Sequence, residues 1–247
     1  MTGWRKWTFV LFMLALTGLF LGLGLWQLTR LEEKQALIAT VAERLATEPV
    51  PFPAAERWGA EVGTGDFDYR AVTVTGRYLP HDTVLVFTSL SSPKGELRGP
   101  GYWVMTPLVL ESGGAMWINR GFIPESARSE FAGGGTAEQG GVTLTGIAKP
   151  SEQGGAFTPA ANEAERIDWI RNVDRLSRLA PDLPQPVAPV YLDLPADPPG
   201  TLPQSGETVV NFPNNHLGYA LTWFGFAILT PILLIFWLRR QRPAVSS

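Results

Sequence analysis

Two long stretches without a charged residue constrain the fold of this chain more than any other feature. The first, Thr8–Leu28, has 21 residues, and the second, Leu217–Leu238, has 22. At about 1.5 Å per helical residue, each can cross a hydrocarbon core of roughly 30 Å. Pro231 lies inside the second stretch, where a membrane helix tolerates it. We therefore expect transmembrane helices at 8–28 and 217–238, with residues 29–216 forming a separate domain.

Charge is distributed unevenly between these regions. The short ends are basic, whereas residues 29–216 carry 15 of the 20 Lys and Arg residues and all 23 acidic ones, a net charge of -8. Basic residues collect on the cytoplasmic side of membrane proteins. This pattern predicts that 1–7 and 239–247 are cytoplasmic and that the domain is exported. A cleaved signal peptide is the alternative for the first stretch, but its apolar run is long and no small-residue cleavage site follows closely.

Composition excludes several kinds of chemistry. The chain has no Cys and two His residues. Disulfides, thiolate metal sites, a thiol nucleophile and a polyhistidine metal centre are therefore not expected. A net charge of -3 gives no general basic surface, so we expect no nucleic-acid partner. Walker A, G-x-S-x-G and H-E-x-x-H motifs are also missing, and we expect a protein that is not an enzyme.

The region between the spans begins as a helix and continues as strands. Apolar spacing over Glu32–Ala46 predicts a helix that extends the first span outward. After it, alternating or short apolar runs bounded by Gly, Pro or Ser predict five strands. They begin at Ala71, Thr83, Tyr102, Ala115 and Val142. The sequence Glu111–Gly114 separates the third and fourth strands and is typical of a hairpin turn.

The later part of the domain is less regular. Apolar spacing over Asp168–Leu179 predicts a second helix, and eight prolines between Pro181 and Pro203 indicate extended chain. Within it we expect an edge strand at Val187–Leu194 and a last strand at Glu207–Val210. The expected fold is thus a membrane α+β protein, in which a hairpin of two transmembrane helices flanks an antiparallel β-rich exported domain, a partly closed barrel in form.

His216 is the candidate ligand. It lies at the outer mouth of the second span, where Asn214 or Asn215 could cap the helix. A neutral imidazole is a common axial ligand of haem iron and needs no Cys. The alternative is an interfacial His bonded to a lipid headgroup or to the first helix. In an antiparallel hairpin, Gln27 and Arg30 lie at about the depth of His216, and Trp223 lies near the same interface.

Two arginines are candidate partners for carboxylates such as haem propionates. Arg30 is at the outer end of the first span, and Arg120 lies within the predicted strand that begins at Ala115. A snorkelling side chain explains Arg30 equally well, and an ordinary turn residue explains Arg120. The pair Gly18 and Gly22 is also ambiguous, because it could admit the second helix or a partner helix, or be plain glycine in a membrane helix.

A membrane-anchored hydrolase is a competing hypothesis. It would use His81 as a base or Asp66 and Asp68 as a carboxylate pair. His81 follows Pro80 in a predicted turn, and the two Asp residues lie in a Gly-containing segment. A surface turn and a solvated loop explain these residues without catalysis.

Five sequence blocks, in order from the outer end of the first span to the start of the second, resemble the surfeit locus protein 1 family of cytochrome c oxidase assembly factors. The blocks are Gly24–Arg30 with Lys34, Tyr69–Arg70 with Gly76–Tyr78, Gly101 with Thr106–Leu108, Asn119–Pro124, and Asn215–Leu217 with Tyr219–Ala220 and Thr222–Trp223. Phe122 departs from the family pattern, where Trp is expected. Trp169 and Asp174 fit a later helix more loosely.

The resemblance implies a role in building the haem-copper, aa3-type oxidase by binding haem a and delivering it to subunit I. The implied cofactor-binding residues are His216 as the iron ligand, with Gln27, Arg30, Arg120 and Trp223. Implied partners are oxidase subunit I, haem a synthase and the lipid bilayer. Because no mitochondrial transit segment precedes the first span, we expect a bacterial cytoplasmic membrane with the domain in the periplasm.

A scaffold that stabilises nascent subunit I without holding cofactor remains the alternative. In that case the domain and the Gly18 and Gly22 face would make the protein contacts, and His216 would be structural. In both cases Gly121, between Arg120 and Phe122, is expected to have a positive φ or to pack closely against other backbone.

Overall fold

The computed structural model describes residues 3–207 and 212–240. The chain divides into two compact units. One contains residues 1–40 with 211–247 and is a pair of helices; the other contains residues 41–210 and is rich in β-strand. This division matches the membrane α+β architecture expected from the sequence.

Two helices are long and apolar enough to cross a membrane. Helix α1 is Gly3–Ala46, with 44 residues and a length of about 66 Å. It contains the first predicted span and the predicted outward extension in one continuous helix. The C-terminal helix, His216–Arg240, has 25 residues. Only 6% and 17% of their most apolar stretches are buried, unlike the core helix of a water-soluble protein.

Aromatic rings and one glycine hold the helix pair together. Phe9 and Trp237 have ring centroids 4.6 Å apart, and Phe20 and Trp223 have centroids 5.8 Å apart. Gly24 lies against Phe224, so closely that a Cβ atom at Gly24 would be 2.6 Å from the Phe224 ring. The absence of a side chain at Gly24 therefore lets an aromatic ring pack between the helices.

Gly18 and Gly22 do not take part in this packing. A Cβ atom at either position would meet no atom within 4 Å among the described residues. The prediction that this pair admits the second helix is therefore wrong, because Gly24 performs that role. The alternatives of a partner helix or of plain membrane glycine remain.

Eight strands build one sheet in the second unit. Their bounds are β1 Val50–Pro51, β2 Ala71–Tyr78, β3 Val84–Leu90, β4 Gly99–Leu110, β5 Ala115–Pro124, β6 Gly141–Pro150, β7 Ile167–Asp168 and β8 Val187–Asp193. Strand order is β1-β2-β6-β8-β5-β4-β3-β7, and β2 also pairs with β4. This extra pairing closes β2, β6, β8, β5 and β4 into a barrel. Three pairs, β1–β2, β3–β7 and β5–β8, are parallel, and the others are antiparallel.

The five predicted strands are confirmed as β2, β3, β4, β5 and β6, and the predicted turn joins β4 to β5. The prediction of an edge strand at Val187–Leu194 is wrong in position. Strand β8 lies between β5 and β6. Pro189 fits there because the register with β5 is irregular between Ala115 and Trp117, and because β6 pairs only with residues from Val190 onward.

The predicted helix Asp168–Leu179 is shorter in the structure. Asp168 ends β7, which pairs with β3, and the helix, here α3, is Val173–Leu179. Asn172 caps it by accepting a hydrogen bond from the backbone N–H of Arg175. The helix Arg128–Phe131 is α2, and His216–Arg240 is therefore α4. Of the predicted last strand, Glu207 is not in a strand, and residues 208–210 lie outside the described residues.

Apolar side chains fill the barrel and cover its outer side. One buried cluster, which includes Val72, Leu108 and Leu192, fills the barrel. A second cluster joins Trp117 and Tyr191 to Leu176 of α3. Alternation along β8 explains this division, because Leu192 and Tyr191 point to opposite faces of the sheet.

The Asn119–Gly121 motif of β5 packs against residues 202–207, which we call the strap. The backbone of Phe122 exchanges two hydrogen bonds of 2.8 Å with Gln204 in the strap. Gly121 has φ of 129°, and a Cβ atom there would lie 2.5 Å from the Gln204 backbone. Both expectations for Gly121, a positive φ and close packing, are confirmed.

Glu207 and Gln204 fasten the other side of the strap. The Glu207 carboxylate accepts hydrogen bonds from the backbone N–H groups of Lys94 and Gly95. The Gln204 amide oxygen accepts from the N–H of Leu97 at 2.9 Å. Glu207 is only 2% exposed, so these bonds replace the solvent that its charge loses. The strap is thereby held between β5 and the loop that joins β3 to β4.

We expect Gly121→Val to destabilise the protein by about 2–4 kcal/mol, because it combines positive-φ strain with a backbone collision. Thermal melting of the detergent-purified full chain, followed by tryptophan fluorescence, measures the effect. Gly133→Val is the matched control, since Gly133 has open space around it and no positive φ. Equal melting of the two variants would contradict this account of the motif.

Two buried tyrosines predict a loss of stability at alkaline pH. Burial raises the pKa of the Tyr78 and Tyr191 phenols well above the ordinary value of 10.0, although Arg120 and Arg171 respectively oppose the shift. Above pH 10.0 the unfolded chain releases these protons and the folded protein retains them, so stability falls as pH rises. The fall in melting temperature between about pH 9 and about pH 11 should be smaller for Tyr78→Phe than for wild type. An equal fall would contradict this assignment.

Candidate functional site

The candidate site lies at one end of the helix pair, where α4 begins. His216 is the first residue of α4, and its Nδ1 lies 2.7 Å from Oε1 of Gln27 on α1. Gln27 is 9% exposed, and His216 is half-buried. Gln27 follows Gly24 by about one helical turn, so the close packing at Gly24 lies next to this contact. The predicted proximity of Gln27 and His216 is confirmed.

This hydrogen bond determines which nitrogen of the neutral His216 ring carries the proton. An amide oxygen only accepts, so Nδ1 must donate its N–H to Gln27. Nε2 then carries the lone pair, and no residue in the described ranges donates a hydrogen bond to it. A metal-bound His typically donates its other ring N–H in this way, which fixes the tautomer and the ring orientation. The pair is therefore chemically suited to bind a metal through Nε2.

Asn214 brings a second unused acceptor to the same end of the helix pair. Its Oδ1 is buried and has no hydrogen-bond partner within residues 3–207 and 212–240. The sequence suggested that Asn214 could cap α4, but its Oδ1 accepts no hydrogen bond from that helix. The first carbonyl bond of α4 instead runs from the Tyr219 N–H to the Asn215 oxygen, at 3.2 Å.

Arg30 and Trp223 also belong to the helix pair. The Arg30 guanidinium forms a 2.7 Å ion pair with Glu33 and lies 5.8 Å from the centroid of Trp26. Its side chain is 52% exposed, and exposed pairs of this kind contribute little to stability. Arg30 can therefore exchange Glu33 for another carboxylate at little cost. Trp223 stacks on Phe20.

Arg120 belongs to the β-rich domain. Its guanidinium donates to the Gly134 carbonyl and to Thr136, and it lies 5.6 Å from the centroid of Tyr78. Arg120 is only 7% exposed, and burial lowers its pKa although Tyr78 and nearby carboxylates oppose the shift. Thr136 in turn donates to Leu202 of the strap. These contacts give Arg120 a structural role that needs no ligand.

The residues of the hydrolase hypothesis have other contacts. The His81 backbone carbonyl accepts a hydrogen bond from Arg166, and Asp66 lies 4.0 Å from Arg44. Asp68 is half-buried, and burial raises its carboxyl pKa although Arg44 opposes the shift. No hydrogen bond or ion pair in the described part of the chain joins His81 to either aspartate.

A buried group of charges in the domain was not anticipated from sequence. Asp193 of β8 accepts from the Asn119 amide at 2.7 Å and lies 3.5 Å from the Lys149 ammonium. Arg171 lies 3.9 Å from Asp193 and binds Glu152. Burial lowers the pKa of Lys149, and Asp193 opposes that shift. These residues are far apart in sequence, so only strand pairing brings them together.

The sequence model of the SURF1 family matches residues 14–228. That range is most of the chain and includes Gln27 and His216. The chain belongs to the SURF1 family. A SURF1-like protein of Monosiga brevicollis is 31% identical over 228 residues, 89% of this chain and 83% of that protein. Surfeit locus protein 1 of Homo sapiens is 30% identical over 240 residues, covering 91% and 75% of the two chains.

A third relative matches nearly the whole chain. Surfeit locus protein 1 of Rattus norvegicus is 28% identical over 251 aligned positions, 95% of this chain and 77% of that protein. The family match therefore includes most of α1, the first half of α4 and the domain between them. It confirms the resemblance inferred from the sequence blocks.

The Gln27–His216 contact predicts an unusual tautomer. In the wild-type protein without ligand, nitrogen NMR of His216 should show the proton on Nδ1, because Gln27 accepts it. Gln27→Leu removes the acceptor and should lose this form. The chain has two histidines, so His81→Gln assigns the signals. A proton on Nε2 in the wild type would show that Gln27 does not select the tautomer.

Proposed function

We propose that this SURF1-family protein is a non-enzymatic assembly factor for haem-copper, aa3-type cytochrome c oxidase, and that it binds haem a for delivery to subunit I. One observation carries the proposal: His216, at the end of an apolar helix pair, donates through Nδ1 to a buried glutamine and keeps Nε2 without a partner among the described residues. Haem a is the cargo. When bound, its iron supplies a Lewis acid for the Nε2 lone pair.

The surroundings of His216 support this choice of cargo. Haem a is a largely apolar macrocycle with carboxylate side chains, and such ligands favour apolar, aromatic sites with few polar groups. Trp223 and Phe20 supply stacked aromatic surface on the helix pair. Arg30 supplies an exposed cation for a propionate, in exchange for Glu33. Gln27 orients the imidazole and does not itself need to contact the haem.

The two apolar helices support a membrane setting for the transfer. We propose that the protein lies in a bacterial cytoplasmic membrane, with both termini in the cytoplasm and the domain in the periplasm, as the basic ends indicate. Haem a synthase would supply the cargo, and oxidase subunit I would receive it. Because haem a is hydrophobic, a carrier anchored in the bilayer avoids moving it through water.

The two histidines allow a controlled test of haem binding. Full-length protein, purified in detergent from cells that make haem a, should contain haem a by absorption and by extraction. His216→Ala should lose most of it at equal folded yield, because the iron loses its ligand. His81→Ala should retain it, since His81 belongs to the β-rich domain. Equal haem a in wild type and His216→Ala would exclude His216 as the ligand.

A scaffold without cofactor is the second candidate function, and one observation favours it. Gly18 and Gly22 leave an open face on α1, where a partner helix can approach. If the protein is only a scaffold, subunit I should co-purify when haem synthesis is blocked, and Gly18→Leu with Gly22→Leu should abolish the association. Subunit I that requires haem for co-purification would exclude this role.

A further inference from the structure

The helix-pair end that holds His216 has two unused acceptors of different kinds. The first is the Nε2 lone pair of His216, which suits a metal. The second is Oδ1 of Asn214, an amide oxygen that is buried and has no hydrogen-bond partner in the described ranges. A single ligand that carries both a metal and a hydrogen-bond donor can fill both.

The Asn214 oxygen requires an explanation. A buried polar atom without a partner costs about 1–3 kcal/mol, and native structures contain few such atoms. The usual use of an Asn before a helix would be a cap, but Asn214 Oδ1 accepts no hydrogen bond from α4. Gln27 does not satisfy it, because its Oε1 is itself an acceptor that binds His216 and no hydrogen bond in the described ranges joins Gln27 to Asn214. A donor on a bound ligand would satisfy this oxygen.

Haem chemistry narrows the identity of that donor. The propionates of a haem are ionised and the formyl group of haem a is a carbonyl, so these groups only accept hydrogen bonds. The hydroxyl of the hydroxyalkyl side chain, which haem a and haem o carry and haem b lacks, can donate. Asn214 and His216 are two residues apart, a chain distance of at most about 7 Å, so one haem can reach both.

We propose that Asn214 is a specificity-determining residue, whose Oδ1 accepts a hydrogen bond from the hydroxyl of a hydroxyalkyl haem bound through His216. This inference rests on the proposed haem-binding function and extends it to the choice among haems. A haem without the hydroxyl leaves Oδ1 buried and unsatisfied, so it binds more weakly. A site built to bond a hydroxyl rejects an analogue that lacks it more strongly than an apolar pocket does.

The test isolates the hydroxyl from the isoprenoid tail. Its probes are haem o and the dehydrated derivative of haem o, which has lost the hydroxyl and kept the tail. Both are titrated by absorbance into the full-length protein in detergent. Wild type should bind haem o about tenfold more tightly than the dehydrated form, and Asn214→Ala should bind the two equally. Asn215→Ala is the matched control and should retain the tenfold preference.

Each other outcome overturns a defined part of the account. If haems bind through His216 but wild type shows no preference, or if Asn214→Ala keeps it, the role of Asn214 is wrong and the carrier function stands. If wild type binds neither haem, or if His216→Ala binds both as well as wild type does, the haem site and the role of Asn214 are both wrong. Thermal melting of each variant verifies that it is folded.

Discussion

A polar side chain at the end of an apolar helix pair needs a partner, and His216 has one in Gln27. The bond between Nδ1 and Oε1 is 2.7 Å long and involves a glutamine that is 9% exposed. Loss of this partner would leave a buried amide unsatisfied, at a cost of about 1–3 kcal/mol. The same bond leaves Nε2 as the lone-pair nitrogen. One contact thus has two results: the Gln27 amide oxygen has a hydrogen-bond donor, and His216 is prepared as a ligand.

The domain has its own organising contact in the Asn119–Gly121 motif. Asn119 binds Asp193, Arg120 binds the segment around Gly134, and Gly121 allows the strap to pack against β5. Each of these residues faces a different part of the fold, so the motif joins three segments of chain. The Asn119–Gly121 motif is part of a sequence block that resembles the family, and its packing contacts explain why these residues are there. No ligand is needed to account for it.

The sequence predicted those elements that depend on local pattern. The length of each uncharged stretch indicated a membrane helix, and alternation indicated five strands, because both signals lie within one segment of chain. The position of β8 was not predictable, since Pro189 normally indicates an edge strand and the register irregularity that accommodates it involves β5. The buried pairing of Lys149 with Asp193 was also hidden, because it depends on which strands are neighbours.

The depth of the candidate site residues in the membrane was predictable from sequence, whereas their hydrogen bonds required the structure. An antiparallel hairpin was sufficient to place Gln27 near His216. The tautomer, the unused Asn214 oxygen and the packing at Gly24 depend on helix rotation, which sequence length does not determine. Arg120 is the opposite case, because this cation was chosen by residue type and the structure shows its side chain bonded to Gly134 and Thr136 inside the domain.

Chemical rescue of His216→Gly tests most directly whether His216 is the haem ligand. This substitution removes the imidazole and leaves space for a free one. We predict that the purified variant binds little haem a, and that added imidazole restores binding with the wild-type absorption spectrum. A variant that binds haem a with an unchanged spectrum before imidazole is added would contradict the account, as would a folded variant that imidazole fails to restore.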